Sequence, residues 1–245
     1  MRKAICLIVC LLLPCTALCD VHVIMDERVH VHEEDGLVLA VFDARFPQLI
    51  GMAGTAVMDR VNGQIADFLR AEGGYDDVVQ AATDAHAAGI FDFAAWTFSL
   101  RVLAEEKLHR ENQLLAVLYN FAAYTGGAHE DNWLSSAHYS LETGDVVSLA
   151  ELLTDADAFQ AAAAEMLLAH IGMLGSAEAL GYFDDYPETV RAWHLDQALL
   201  TSDGLLVYFN PYEVAPFSAG PQLITLDYAL VSPYFTDLCR AWLGL

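Results

Sequence analysis

The chain has 245 residues, 56 % hydrophobic and 18 % charged, with 11 Lys+Arg against 34 Asp+Glu and a net charge of −23 at pH 7. So much apolar content excludes intrinsic disorder, and the length allows one large domain or two small ones with a sizeable core. Eleven cations spread along the chain cannot build the basic face that phosphate binding needs, so nucleic acid is excluded as a partner and a cationic one is favoured.

Residues 1–19 read as a signal peptide rather than as fold. Arg2 and Lys3 form a positive n-region, Ala4 to Leu13 a short apolar run, and Ala17-Leu18-Cys19 a cleavage site before Asp20. The run is about ten residues long, half of the roughly 20 that span a bilayer, and no later segment is longer and charge-free. The expected product is periplasmic or secreted, without a membrane span. A second reading lipidates Cys19, although Leu18 departs from the small residue that such a signal places before its cysteine. Cys6, Cys10, Cys15 and Cys19 all fall in the leader, so Cys239 is left alone beside Leu238, Ala241 and Trp242 and reads as a buried, inert thiol. Cleavage also removes Arg2 and Lys3, leaving 9 Lys+Arg against 34 Asp+Glu and a charge of −25.

Val21 to Val31 alternates apolar and polar residues and Leu37 to Phe42 is nearly continuous apolar; Glu33-Glu34-Asp35-Gly36 between them predicts an antiparallel pair. Phe46-Pro47-Gln48 interrupts that pattern. Val57, Val61, Ile65, Phe68 and Leu69 recur at helical spacing, ending at Gly73-Gly74, while Tyr75 to Gly89 fits no single period. Trp96, Phe98, Leu100 and Val102 alternate with polar residues, Leu114 to Tyr124 is a second strand, and Glu105-Glu106-Lys107 reads as the turn between them. Glu142-Thr143-Gly144-Asp145 marks a hairpin within Ser140 to Leu149. Thr154 with Asp157 resembles a capping box opening a helix with Phe159, Ala163, Met166, Leu167, Ile171 and Leu174 on one face. Thr201-Ser202-Asp203-Gly204 joins two more strands, Leu223 to Val231 makes the last, and Ser232 to Leu243 a terminal helix. Strands and helices mix without regular βα alternation, which predicts an α+β fold with mixed or antiparallel sheets and a few packed helices. Its two subdomains, 20–115 and 116–245, are expected to pack closely because no flexible linker separates them.

Phosphate loops, dinucleotide glycine fingerprints, zinc-protease helices and nucleophile elbows are absent from the sequence. Phe183-Asp184-Asp185 matches a deacetylase signature, but no H-x-x-x-H accompanies it, so it reads as an acidic loop. His22, His30 and His32 read as a polar strand face; His30 and His32 could pinch a metal with Glu33 or Asp26 nearby, but two imidazoles leave a tetrahedral site half filled. No cofactor, metal or catalytic set is therefore assigned. Two stretches remain. Tyr124-Thr125-Gly126-Gly127-Ala128-His129 ends a strand in a glycine turn, either purely structural or holding His129 at a surface. The other, Asn210-Pro211-Tyr212-Glu213-Val214-Ala215-Pro216-Phe217, combines prolines and aromatics as a stiff binding loop or as core plugs.

These stretches, with Leu141-Glu142-Thr143-Gly144, Leu149-Ala150-Glu151-Leu152-Leu153 and Asp203-Gly204-Leu205 to Tyr208-Phe209 in the same order, resemble one known domain. It is the extracytoplasmic domain of RsiV-type anti-sigma factors and PdaC-type peptidoglycan deacetylases, matched over roughly 115–240. Phe46-Pro47-Gln48-Leu49-Ile50 leading to Asn62 is similar to its N-terminal companion. The resemblance implies an envelope binding module, lysozyme-sensing in the first group and accessory to a separate catalytic domain in the second. The sigma-binding segment and the deacetylase domain have no counterpart in this sequence. The expected function is thus non-catalytic recognition of peptidoglycan or of a cationic wall-active protein such as lysozyme. The expected binding residues are Tyr124, Thr125, Gly126, Gly127, His129, Tyr212, Glu213, Pro216 and Phe217. The catalytic alternative is a wall hydrolase using His129 with Glu130 or Asp131.

Overall fold

The computed structural model describes residues 21–51 and 55–245, so the leader expected over 1–19 lies outside the described residues. Strands β1 (His22–Glu34) and β2 (Leu37–Ile50) form an antiparallel hairpin turning at Asp35 and Gly36, whose φ values of 52° and 78° are those of a two-residue primed turn. The second strand does not stop near Phe42, as its pattern suggested, but runs through Pro47. A parallel neighbour pairs with β2 only from Ala40 to Arg45, and beyond that point one edge of β2 is open, so a proline there removes no ladder donor. The open edge is closed at Leu49 by a side chain: Asn62 accepts the Leu49 N–H at 2.8 Å and donates to its carbonyl at 3.0 Å.

That parallel neighbour is β3 (Phe98–Arg110), reached through helices α1 (Thr55–Gly73) and α2 (Tyr75–Ala88). Met58, Val61, Ile65 and Leu69 of α1 and Val78, Ala82 and Ala85 of α2 bury against one face of the sheet. The helix over 75–88 escaped the period count because its apolar face is built mainly from alanine. The expected turn at Glu105-Glu106-Lys107 is instead a β-bulge between Glu106 and Leu108, and β3 continues to a tight turn in which Gln113 N–H reaches the Arg110 carbonyl at 2.9 Å. The extra residue inverts the parity of the strand, so Leu108 leaves the helix-covered face and joins the opposite core.

Strands β4 (Leu114–Tyr124), β5 (Asp131–Ser140) and the short β6 (Val146–Val147) complete a six-stranded sheet in sequential order, antiparallel except for the β2–β3 pair. The hairpin expected at Glu142 to Asp145 is the β5–β6 connection. Helix α3 (Ala156–Leu174) is capped by Asp155, which accepts the Ala158 N–H at 3.0 Å; Thr154, the expected cap, instead donates its hydroxyl to the Tyr234 carbonyl. The short helices α4 (Ala177–Leu180) and α5 (Tyr186–Arg191) lead into a three-stranded antiparallel sheet, β7 (Ala198–Leu200), β8 (Leu205–Phe209) and β9 (Gln222–Leu226). The chain then breaks into α6 (Tyr228–Val231) and α7 (Asp237–Leu243) where a longer strand and a longer helix were expected. Asp227 accepts the Ala229 N–H at 2.8 Å and ends the strand early by capping a turn of helix. Cys239 of α7 is buried, and burial pushes its thiol pKa up to about 12.

The α+β reading holds: one mixed sheet, a smaller antiparallel one and flanking helices. Two cores lie on opposite faces of the large sheet. Leu115, Val117, Tyr119 and Phe121 face α1 and α2. Leu114, Ala116 and Leu118 face the small sheet and α3. Among the described residues no helix is long and apolar enough to cross a membrane.

His138 fastens the two sheets. Its Nε2 accepts the Leu200 N–H at 3.0 Å in a buried contact, and desolvation lowers its pKa from the ordinary 6.5 to about 4. Because the unfolded chain binds this proton more readily, the contact is fully stabilising above pH 6.5 and is lost as pH falls through about 4. The expected loss is about 3 kcal/mol at the bottom of that window. Urea titrations of the wild type and His138→Gln at neutral and acid pH check it: the variant should lack this part of the pH dependence, and identical slopes would remove His138 as its source.

Candidate functional site

The cover on the second face stops short of β1 and β2. Val29, Val31 and Leu103 are therefore exposed on that face, at 61 %, 51 % and 44 %. Between this bare area and the small sheet lies a cleft of about 580 Å³. Its floor comes from alternate residues of consecutive strands: Glu27, Asp43 and Arg45, Arg101, Asn120, then Asn132. Two arginines meet three carboxylates here once Glu130 is included. Arg101 Nη2 donates to both Glu130 oxygens at 2.6 and 2.5 Å, and Arg45 lies 3.8 Å from Glu27. Charge is nearly balanced in the cleft although the chain as a whole is strongly acidic. Planar amides, carboxylates and guanidinium groups on one surface suit hydroxyl- and amide-rich ligands, which need paired donors and acceptors.

The two stretches that the sequence singled out meet at the rim of this cleft. His129 stacks on Phe217 with ring centroids 4.1 Å apart, and Tyr212 lies 5.8 Å from the same phenylalanine. Glu130, the residue after the first stretch, and Pro221, beyond Phe217 of the second, both line the cleft. Pro216 opens the helical turn that carries Phe217, its carbonyl accepting the Ala219 N–H at 2.9 Å.

Tyr212 is 61 % exposed and sits at φ +72°. Asn210 O accepts the Glu213 N–H at 3.1 Å, so the tyrosine occupies the third position of a turn that normally takes glycine. An L side chain in that conformation costs roughly 1–2 kcal/mol and persists where surrounding structure over-determines it. The surroundings are visible. Glu213 turns inward, accepting the Asn210 N–H at 2.6 Å and the Gln197 amide at 2.9 and 3.0 Å, and burial raises its pKa. The Asn210 side chain accepts the Leu134 N–H at 2.6 Å and donates to the Leu134 carbonyl at 3.3 Å, closing the outer edge of β5. The loop is thereby locked to the large sheet with its tyrosine facing outward.

The remaining sequence candidates lie at the other side of the β4–β5 connection. Tyr124 packs edge-on against Phe91 and Phe98, and Thr125 and Gly126 border an apolar groove beside Phe91. Gly126, at φ +92°, has no room for a Cβ, which would lie 2.9 Å from Phe91 and 3.1 Å from Phe98; Gly127 has no such restriction. His129 donates through Nδ1 to the Glu130 carbonyl at 2.8 Å, and the carboxylate beside it is held by Arg101. No group of three His, Cys, Asp or Glu among the described residues is placed to hold a metal. His30 instead stacks on Phe42 and His32 contacts the Thr83 hydroxyl.

Sequence reasoning missed Arg101, Asn120, Asn132 and Asn210. Arg101 is the polar member of an alternating strand, a pattern identical to that of a solvated face, and Asn120 is a single polar residue in the otherwise apolar and aromatic run of β4. Asn132 lies on β5, whose first half carries no strand signal. The Asn210 side chain has no local partner; it pairs with Leu134, 76 residues away.

A family model described as a protein of unknown function, DUF3298, matches residues 160–229, from α3 to the start of α6. Two solved structures share the fold. A DUF3298 member from Bacteroides fragilis superposes with a TM-score of 0.66 at 17 % identity, covering 91 % of this chain and 96 % of its own. A DUF3298 protein from Pseudomonas aeruginosa gives 0.60 at 14 % identity, covering 89 % and 96 %. No curated protein matches the sequence.

Asn210 and Tyr212 should separate stability from display. Asn210→Ala leaves the Leu134 backbone groups unpaired and is expected to cost about 2–4 kcal/mol. Tyr212→Gly relieves backbone strain while losing the Phe217 contact and gaining chain entropy on unfolding, so its stability should stay within about 1 kcal/mol of wild type. Chemical denaturation of both variants measures the contrast, and a large loss in Tyr212→Gly would make the tyrosine a structural residue.

Proposed function

We propose that this chain is an exported, non-catalytic binding protein of the bacterial envelope whose cleft recognises a cell-wall component with glycan chemistry. The observation that carries the reading is the exposed Tyr212, held in a strained turn over Phe217 and His129 beside a cleft of amides and balanced charges. Sugar rings need an aromatic face for their C–H surfaces and planar polar groups for their hydroxyls, and the cleft and its rim supply the two together. The leader-like residues 1–19 and the resemblance of the two loop stretches to envelope modules support the cellular setting.

A second reading, a cationic wall-active protein such as lysozyme, is favoured by the −23 charge, which would steer a basic partner. It predicts binding that fails at about 0.5 M salt, where the Debye length shrinks to roughly 4 Å. The hydrolase alternative finds less support. His129 donates through Nδ1 to a backbone carbonyl, which leaves Nε2 as the basic nitrogen, but the Glu130 carboxylate that would partner it is engaged by Arg101.

Calorimetric titration with chitotetraose and with soluble peptidoglycan fragments tests the main reading. Saturable binding should weaken at least tenfold in Tyr212→Ala and in Arg101→Gln, with little dependence on salt. Wild-type protein that ignores both glycans yet captures lysozyme at low salt only would replace the glycan with the cationic protein. Release of reducing ends, abolished by His129→Ala, would replace both with catalysis.

A further inference from the structure

The strands that floor the cleft also wall a second crevice, on their opposite face. Alternation along β1 and β2 sends Glu27, Asp43 and Arg45 to the cleft and Arg28, His30, Phe42 and Phe46 to the side covered by the helices. Between those strands and the helices α1 and α2 lies a crevice of about 300 Å³. Its interior is apolar and aromatic, with Phe42, Phe46 and Leu69 buried and Tyr75 tilted 5.4 Å from the Phe42 ring. Its rim carries Arg28, Arg70 and Asp76.

Arg70 stands out against the charge balance of the chain. Nine Lys and Arg fall among the described residues, and seven of them lie within 4 Å of a carboxylate. Arg70 and Arg110 do not, in a chain with 34 acidic residues. A cation in the last turn of α1 suits the helix dipole, which accounts for Arg70 on its helix but not for the aromatic hollow beside it. Arg28 is the second donor. Its guanidinium lies 4.9 Å from the Phe46 ring centre, and Asp26 engages only its Nε, at 3.1 Å. Its two terminal nitrogens have no protein acceptor among the described residues. At about 0.1 M ionic strength charges beyond roughly 10 Å are screened, so a ligand here meets Arg28, Arg70, Asp26, Asp76 and their neighbours Asp67 and Asp77 rather than the net charge of the chain.

We infer that this crevice is a second binding site, for a small amphipathic monoanion of the aromatic-carboxylate class. The flat body lies against Ala66 and Tyr75, over the buried Phe42 and Leu69, and the carboxylate takes the free guanidinium nitrogens of Arg70 and Arg28, whose planar donors match its two oxygens. Asp76 on the rim disfavours ligands of higher negative charge. The crevice volume limits the body to about two fused rings, since ligand pockets for drug-sized molecules start near 300 Å³.

Calorimetric titration of the full chain with 2-naphthoate, with 2-naphthylmethanol as the neutral control, tests the assignment. Naphthoate should bind saturably at one site and at least tenfold more tightly than the alcohol. Arg70→Gln should lower naphthoate affinity about tenfold. Ala66→Leu, which fills the crevice from α1, should abolish binding while the circular dichroism spectrum and melting temperature stay native. Tyr212→Ala and Arg101→Gln should leave naphthoate binding unchanged whatever they do to glycan binding. Absence of saturable binding, equal affinity for the alcohol, no effect of Arg70→Gln, or loss in Tyr212→Ala would each overturn the site.

Discussion

The burial of β4 on both faces is the constraint on which the rest of the molecule depends. All five residues from Leu114 to Leu118 are buried, and alternate ones belong to different cores. Each fully buried Leu or Val contributes about 1.5–3 kcal/mol relative to exposure, so this segment carries a share of both cores that no surface strand could. The β3 bulge follows from the same need. Without the extra residue, Lys107 would point where Leu108 now packs. With it, one strand serves the helix-covered face along its first half and the opposite core at its end.

Two asparagines show how the sheet tolerates strands of unequal pairing. Beyond Arg45, β2 has lost β3, and ahead of His138, β5 has not yet met β6. An open strand edge leaves backbone groups unpaired, which costs about 1–3 kcal/mol for each one that is buried. Asn62 at Leu49 and Asn210 at Leu134 each place a side-chain amide where the next strand would be, satisfying one N–H and one carbonyl. The second of these also anchors the loop bearing Tyr212. The device that completes the sheet is thus the one that holds an aromatic residue in a conformation it would not adopt alone.

The uncovered half of the sheet is where polar and charged side chains gather. The small sheet and α3 protect the region around Leu108, Leu114, Leu118 and Leu134, leaving β1, β2 and the first half of β3 bare on that side. Strand alternation then gives each face its own character: paired charges and amides over the cleft, aromatic rings and an unpaired guanidinium in the crevice.

The sequence by itself determined the α+β class, the β1–β2 hairpin with its Asp-Gly turn, the helix at Val57 to Leu69, the hairpins at Gly144 and Gly204, and the burial of Cys239. All of these rest on periodicity or turn chemistry within a dozen residues. It also pointed to the two loop stretches whose His129, Tyr212 and Phe217 come to lie together. The tertiary structure decided what depends on distant partners. Glu105 to Lys107 carry the charges of a turn but form a bulge, because β4 holds the strand in register beyond them. Thr154 has the chemistry of a cap but bonds to Tyr234, leaving that role to Asp155. Glu213 is acidic and in a loop, yet it folds inward to brace a turn. The cleft itself is made of residues whose local pattern is that of any wetted strand. Local energies of a few tenths to one kcal/mol set the elements, whereas which polar face stays open is set by where a second layer ends, and no short window of sequence contains that information.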